Sequence, residues 1–135
     1  MFVFVVVIFL TFDILATGVY ALFRFINCYR YQSSVLTSGI ILPNISRYLT
    51  FWYYLRGGKV GVFSVIISIN NTSETLWSKT DVQEENWYKA SVNINKDKPF
   101  SITFEAICLY ERVEDGSIAI DDILIYKRPC GGKFF

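Results

Sequence analysis

The sequence predicts an all-β chain, an antiparallel sandwich or barrel, preceded by an N-terminal apolar segment read as a helix. Three observations carry that reading. Beyond residue 30, apolar and polar side chains alternate with a period of two, the signature of strands that bury one face. Clusters of Gly, Asn, Asp and Pro interrupt the alternation about every ten residues, as hairpin turns require. No helical periodicity follows residue 30, so the helical crossover of a nucleotide-binding α/β fold has no candidate.

The first element is the apolar run. From Met1 to Phe23 the one formally charged side chain is Asp13, and Phe2 to Leu10 is unbroken Phe, Val, Ile and Leu. A helix of twenty-odd apolar residues spans a bilayer, at about 1.5 Å per residue against about 30 Å of hydrocarbon. A secretory signal reads equally: Phe2 to Phe12 is its apolar stretch, and Ala16-Thr17-Gly18 or Val19-Tyr20-Ala21 its cleavage site. The basic start of a signal is missing, whereas a retained anchor would carry Asp13 at about 2.5–3.5 kcal/mol near the midplane. A buried strand over Phe2 to Leu10 is the third reading, although the apolar run outlasts the usual strand of roughly 3–10 residues.

The strands follow in order. Leu49, Phe51, Tyr53 and Leu55 alternate with Thr50, Trp52, Tyr54 and Arg56, and Gly57-Gly58 marks a turn. Phe63, Val65, Ile67 and Ile69 form the next inward row, Asn70-Asn71-Thr72-Ser73 the next turn, and Leu76-Trp77 anchors a short strand. Tyr88, Ala90, Val92 and Ile94 lie opposite Lys89, Ser91, Asn93 and Asn95. After a polar turn to Pro99, Phe100, Ile102, Phe104, Ala106 and Cys108 share one face and Ser101, Thr103 and Glu105 the other. Ile118 and Ile120 resume the inward row until Asp121-Asp122 interrupts it, and Ile123 to Tyr126 closes the run.

Composition narrows the function. The 135 residues are 53% hydrophobic and 18% aromatic, too apolar for disorder. Thirteen Lys and Arg nearly cancel twelve Asp and Glu, so no basic field exists to capture nucleic acid. Histidine is absent, which removes Ser-His-Asp and Cys-His catalysis and His-ligated zinc from this chain.

Five stretches, in order, resemble the MAM domain, a module shared by meprins, neuropilins and receptor tyrosine phosphatases. Leu49-Thr50-Phe51-Trp52-Tyr53-Tyr54-Leu55, a glycine turn and Val60 to Val65 resemble its central strands. Thr75-Leu76-Trp77-Ser78 and Trp87 to Val92 resemble the next two. Phe104-Glu105-Ala106 with Gly116-Ser117-Ile118-Ala119-Ile120-Asp121-Asp122-Ile123 resembles the closing signature, and Pro129-Cys130 the terminal cysteine. The resemblance implies a jelly-roll β-sandwich outside the cell, used for adhesion or for holding subunits together, without catalysis. It divides the chain into a signal or anchor (1–23), a linker (24–30), a partial MAM-like sandwich (31–131) and a tail (132–135). The family's opening strand is not recognisable in residues 1–30, so the sandwich is expected to lack a strand and expose a sheet edge. The family also carries a cysteine immediately before the Leu-x-Phe-Trp-Tyr run. Here Tyr48 stands at that position, so Cys130 lacks its customary partner.

Three cysteines leave at least one without a partner inside a monomer. Cys28 and Cys130 flank the sandwich and are a candidate pair. A free Cys130, or one bridged to another chain, is equally consistent. Cys108 falls on the inward row and reads as a small buried hydrophobe.

Asp121 and Asp122 stand consecutively in an apolar strand, so strict alternation turns one of them inward. A buried carboxylate needs a partner or a cation. With Glu105 on the preceding strand, the three are candidate ligands for a structural calcium ion; satisfaction by backbone N–H groups or Arg is the alternative. A paired-carboxylate glycosidase does not fit, because adjacent residues of a strand face opposite sides. No other cofactor is expected.

Asn44, Asn70 and Asn71 each begin a glycosylation sequon in a predicted turn. Trp52 and Tyr54 lie opposite Phe51 and Tyr53, and covering by an N-terminal strand is the expected fate of that second aromatic face. Two functions follow. One is a cell-surface or secreted module binding a protein partner or a second copy of itself, with residues 1–23 holding it to the membrane if retained. The other is a lectin-like calcium- or carbohydrate-binding module.

Overall fold

The computed structural model describes residues 13–17, 20–24, 28–43, 47–57, 61–80, 84–109, 112–113 and 116–127. Eleven strands run in chain order: β1 Asp13–Thr17, β2 Tyr20–Arg24, β3 Cys28–Tyr29, β4 Ser33–Thr37, β5 Arg47–Arg56, β6 Val62–Ile69, β7 Thr72–Thr80, β8 Trp87–Ile94, β9 Ser101–Ile107, β10 Arg112–Val113 and β11 Ser117–Lys127. They build a five-stranded sheet in the order β1-β2-β11-β5-β8 and a four-stranded sheet in the order β4-β9-β6-β7, with β3 and β10 paired beside them. Every pairing is antiparallel. The two larger sheets pack face to face as a β-sandwich, as the alternation predicts.

Alternation decides what each strand buries. In β8 the odd residues from Trp87 to Asn93 are exposed, whereas Ala90, Val92 and Ile94 are buried. In β9 Ile102, Phe104 and Ala106 are buried between half-buried neighbours. The inner faces meet in an aromatic layer around Phe51, which has no exposed surface. Its ring lies edge-on to Phe63, Trp77 and Phe104 at centroid distances of 6.0, 5.2 and 5.1 Å. Edge-to-face geometry is favoured because the positive ring edge meets the negative face, adding about 0.5–1.5 kcal/mol per pair to the burial itself.

The N-terminal part differs from expectation. Residues 13–24, read as part of an apolar anchor and the start of a linker, form the hairpin β1–β2, and β2 pairs with β11. Phe23 is fully buried opposite Ile118 and packs 6.2 Å from Phe63. The apolar character that suggested membrane insertion is, at Phe23, the core-facing side of a strand. Residues 1–12 lie outside the described residues, and no helix among the described residues is long and apolar enough to cross a membrane.

A glycine sets the return from β5 into β6. Gly61 has φ +97°, and a Cβ there would lie 1.9 Å from the carbonyl oxygen of Ile107. Both the left-handed backbone and the close approach exclude a side chain. Gly61→Ala is therefore expected to destabilise the fold by at least about 1 kcal/mol, read as a lowered melting temperature by circular dichroism. An unchanged melting temperature would show that this loop is not constrained by β9.

Candidate functional site

The outer face of the five-stranded sheet is built on β5. Its register sets Tyr48 between Tyr126 of β11 and Asn93 of β8, Trp52 between Asp121 and Lys89, and Tyr54 between Ala119 and Trp87. Trp52, Trp87 and Tyr126 are 37%, 38% and 39% exposed. Tyr48 stacks on Tyr126 with centroids 4.8 Å apart, and Tyr54 meets Trp87 edge-on at 5.6 Å. Five rings thus share one face, with a cation and an anion on either side of the central tryptophan.

The strands β1 and β2 extend this sheet beyond β11 instead of lying over β5. The expected cover for Trp52 and Tyr54 is therefore absent among the described residues, and the second aromatic face meets solvent. Trp87 shares the alternation phase of Lys89 and Ser91, so its exposure was readable from the sequence. Tyr126 was not, because the phase of β11 changes partway along.

That change occurs at the two aspartates. Asp121 pairs with Trp52 and Leu124 with Thr50, so Asp122 and Ile123 together oppose one residue, Phe51. This is a β-bulge, with Asp122 at φ +50° and its N–H donating to Asp121 Oδ1 at 2.8 Å. Asp tolerates the left-handed region better than most residues. The extra residue leaves Asp121 half-buried on the outer face and Asp122 exposed, while Ile123 and Ile125 return to the core. The expectation that one aspartate must point inward is thereby corrected.

The calcium grouping of Asp121, Asp122 and Glu105 is corrected as well. Glu105 lies on β9 between Val35 and Ser64, on the outer face of the other sheet. The three carboxylates sit on opposite sides of the sandwich and cannot converge on one ion. Among the described residues no group of three His, Cys, Asp or Glu is placed to hold a metal.

Cys108 is buried, as its row predicts, but it is disulfide-bonded and so is no free thiol. Since a sulfur joins one bridge and the chain has three cysteines, the candidate Cys28–Cys130 pair is excluded. The side chain of Cys28 and all of Cys130 lie outside the described residues. Asn70 and Asn71 form the exposed two-residue tip between β6 and β7, with Asn70 at φ +54°. Asn44 lies outside the described residues.

The described residues thus form an antiparallel β-sandwich with an aromatic outer face. The family model for the MAM domain, meprin/A5/mu, matches residues 12–131, and the chain belongs to that family. The match begins at the β1–β2 hairpin, earlier than the motifs at 31–131 alone indicated. Human MAM domain-containing protein 2 is 35% identical over 85 residues, 62% of this chain and 12% of that protein. Chicken MAM domain-containing glycosylphosphatidylinositol anchor protein 1 is 31% identical over 90 residues, 63% of this chain and 9% of that protein. The chain thus spans about a tenth of the length of these relatives. A cleaved adhesin domain of Lys-gingipain from Porphyromonas gingivalis shares the fold with a TM-score of 0.64 at 14% identity, covering 82% of this chain and 75% of that one. A variant family 29 carbohydrate-binding module complexed with mannohexaose follows at 0.58 and 14%, covering 87% and 76%.

Burial raises the Glu105 carboxyl above its ordinary value of 4.5. When ionised in both states, Glu105 penalises the fold alone; when protonated in both, it does not. Its cost is therefore full above the folded-state value and vanishes below 4.5. Glu105→Gln is expected to raise the melting temperature at pH 7, with the gap to wild type closing as the pH falls below 4.5. A gap independent of pH would refute burial as the cause.

Proposed function

We propose that this chain is a non-catalytic extracellular module that makes protein–protein contacts at the cell surface through the outer face of its five-stranded sheet. The exposed position of Trp52 between Lys89 and Asp121 carries the reading. Tryptophan and tyrosine dominate binding energy at interfaces, because large rings bury area at low entropic cost, and flanking opposite charges fix the register of a partner. Membership of the MAM family, and a relative named for a glycosylphosphatidylinositol anchor, support an extracellular setting. A disulfide at Cys108 agrees with an oxidising compartment. The exposed Asn70–Asn71 tip is the glycan acceptor that such a route would modify, and peptide N-glycosidase should then lower the mass of the secreted chain.

Beads coated with the secreted chain test the homophilic form directly. Wild-type beads should cluster, and Trp52→Ala should weaken self-association at least about 30-fold, as a hot spot of about 2 kcal/mol implies. The exposed substitution should leave the melting temperature nearly unchanged. Dispersed wild-type beads would exclude a homophilic contact, and equal clustering by the variant would exclude this face.

One observation favours a second reading, carbohydrate binding. Exposed rings with polar neighbours suit the alternately apolar and hydroxylated faces of a sugar chain, and the fold is that of a module solved with mannohexaose. Titration with mannohexaose, followed by tryptophan fluorescence, separates the two: an unchanged spectrum removes this reading.

A further inference from the structure

We propose that Cys28 is the disulfide partner of Cys108, and that the bridge staples the crossing of the chain from one sheet to the other. Cys108 is disulfide-bonded, and Cys28 and Cys130 are the remaining cysteines. The backbone decides between them. The Tyr31 N–H donates to the Cys108 carbonyl at 2.6 Å, and the Cys108 N–H donates to the Gln32 carbonyl at 2.8 Å. Residues 29–32 close a turn, the Gln32 N–H donating to the Tyr29 carbonyl at 3.1 Å and the Tyr29 N–H to Gln32 Oε1 at 2.7 Å. Cys28 immediately precedes that turn and pairs with Val113, five residues beyond Cys108. Its backbone is thus tied both to the turn that bonds Cys108 and to the strand that follows Cys108 in the chain.

The last described residue before Cys130, Lys127, lies at the other end of the sandwich. Cys130 follows Lys127 by three residues in the sequence, and Lys127 pairs with Arg47. The Arg47 guanidinium donates to the Leu42 carbonyl at 3.2 Å, and the adjacent Ile41 pairs with Phe100 at the start of β9. Cys108 lies eight residues further along that strand, about 26 Å away at about 3.3 Å per residue. Three residues reach at most about 11 Å. Disulfides join Cα atoms less than about 7 Å apart, and Phe51 on Phe104 with Tyr53 on Phe63, the partner of Ala106, align β5 with β9 so that the Arg47 end lies away from Cys108.

Closing the bridge takes one proton and one electron from each thiol. A disulfide-bearing oxidant accepts both electrons and both protons and leaves as a dithiol. The product joins β3, which lies in the chain between β2 of the five-stranded sheet and β4 of the four-stranded sheet, to the residue that follows β9. It also leaves Cys130 as the odd cysteine, for a bond outside the chain.

Trypsin separates the three cysteines into peptides 25–30, 97–112 and 128–133. Mass spectrometry of the non-reduced, alkylated full chain should find 25–30 joined to 97–112. A link between 97–112 and 128–133, or alkylated Cys108, would overturn the proposal. As a second reading of the same pairing, Cys28→Ser and Cys108→Ser should each lower the melting temperature by about 10 °C, with no further loss in the double variant, since the bridge closes a loop of about eighty residues. Cys130→Ser should leave it unchanged; a loss there, with Cys28→Ser silent, would reverse the assignment.

Discussion

The packing of Phe51 against the opposite sheet is the contact on which the rest of the molecule depends. No helix braces the two half-buried sheets among the described residues, so the layers hold chiefly through what their inner faces exchange. Here that exchange is aromatic. Phe51 lies among Phe63, Trp77 and Phe104, and Tyr53 lies 5.2 Å from Trp77 on the same inward row. Rings packed at steep angles resist sliding, because a shift of one breaks several edge contacts together. The central strand β5 is thereby fixed in depth and rotation. Trp52 and Tyr54, on its other side, inherit that rigidity, and a preorganised face loses little entropy when a partner docks.

Much of this fold was legible in the residues themselves. The alternation of Tyr88 to Ile94 and of Phe100 to Cys108 named both the strands and their buried faces, because a period of two leaves no other arrangement. The Asn70-Asn71 turn was legible for a similar reason: Asn accepts the positive φ of a tight hairpin. The N-terminal hairpin was not. Strands that are apolar on consecutive residues look like a membrane helix when periodicity is the only guide. Asp121 and Asp122 misled by the same logic in reverse, since a strict alternation has no place for a bulge. Glu105 could not be assigned to a sheet from sequence, as nothing local says which layer a strand joins. The partner of Cys108 was equally hidden, because pairing depends on which strand ends meet in space.

Tyr48 shows how the chain manages without a family feature. Where the family pattern that the sequence resembles places a cysteine, this chain stacks Tyr48 on Tyr126 across the β5–β11 ladder. The two residues are directly paired, so the rings cover the same junction that a bridge to the chain end would secure. An aromatic pair contributes about 0.5–1.5 kcal/mol, less than the roughly 2–4 kcal/mol typical of a disulfide.

The bulge at Asp122 carries a consequence for how this segment can evolve. Downstream of it, inside and outside are assigned by parity, and one spare residue sets that parity. A lineage that lost the single codon for Asp122 would remove the bulge and still keep Ile123 and Ile125 inward and Leu124 and Tyr126 outward, in regular register with β5. Loss of the codons for both Asp122 and Ile123 would instead set Leu124 opposite Phe51, turning Leu124 and Tyr126 toward the oily interior and Ile125 to water. Length variation at this point of the closing strand should therefore take the form of a single codon gained or lost, a counting rule imposed by geometry on the gene.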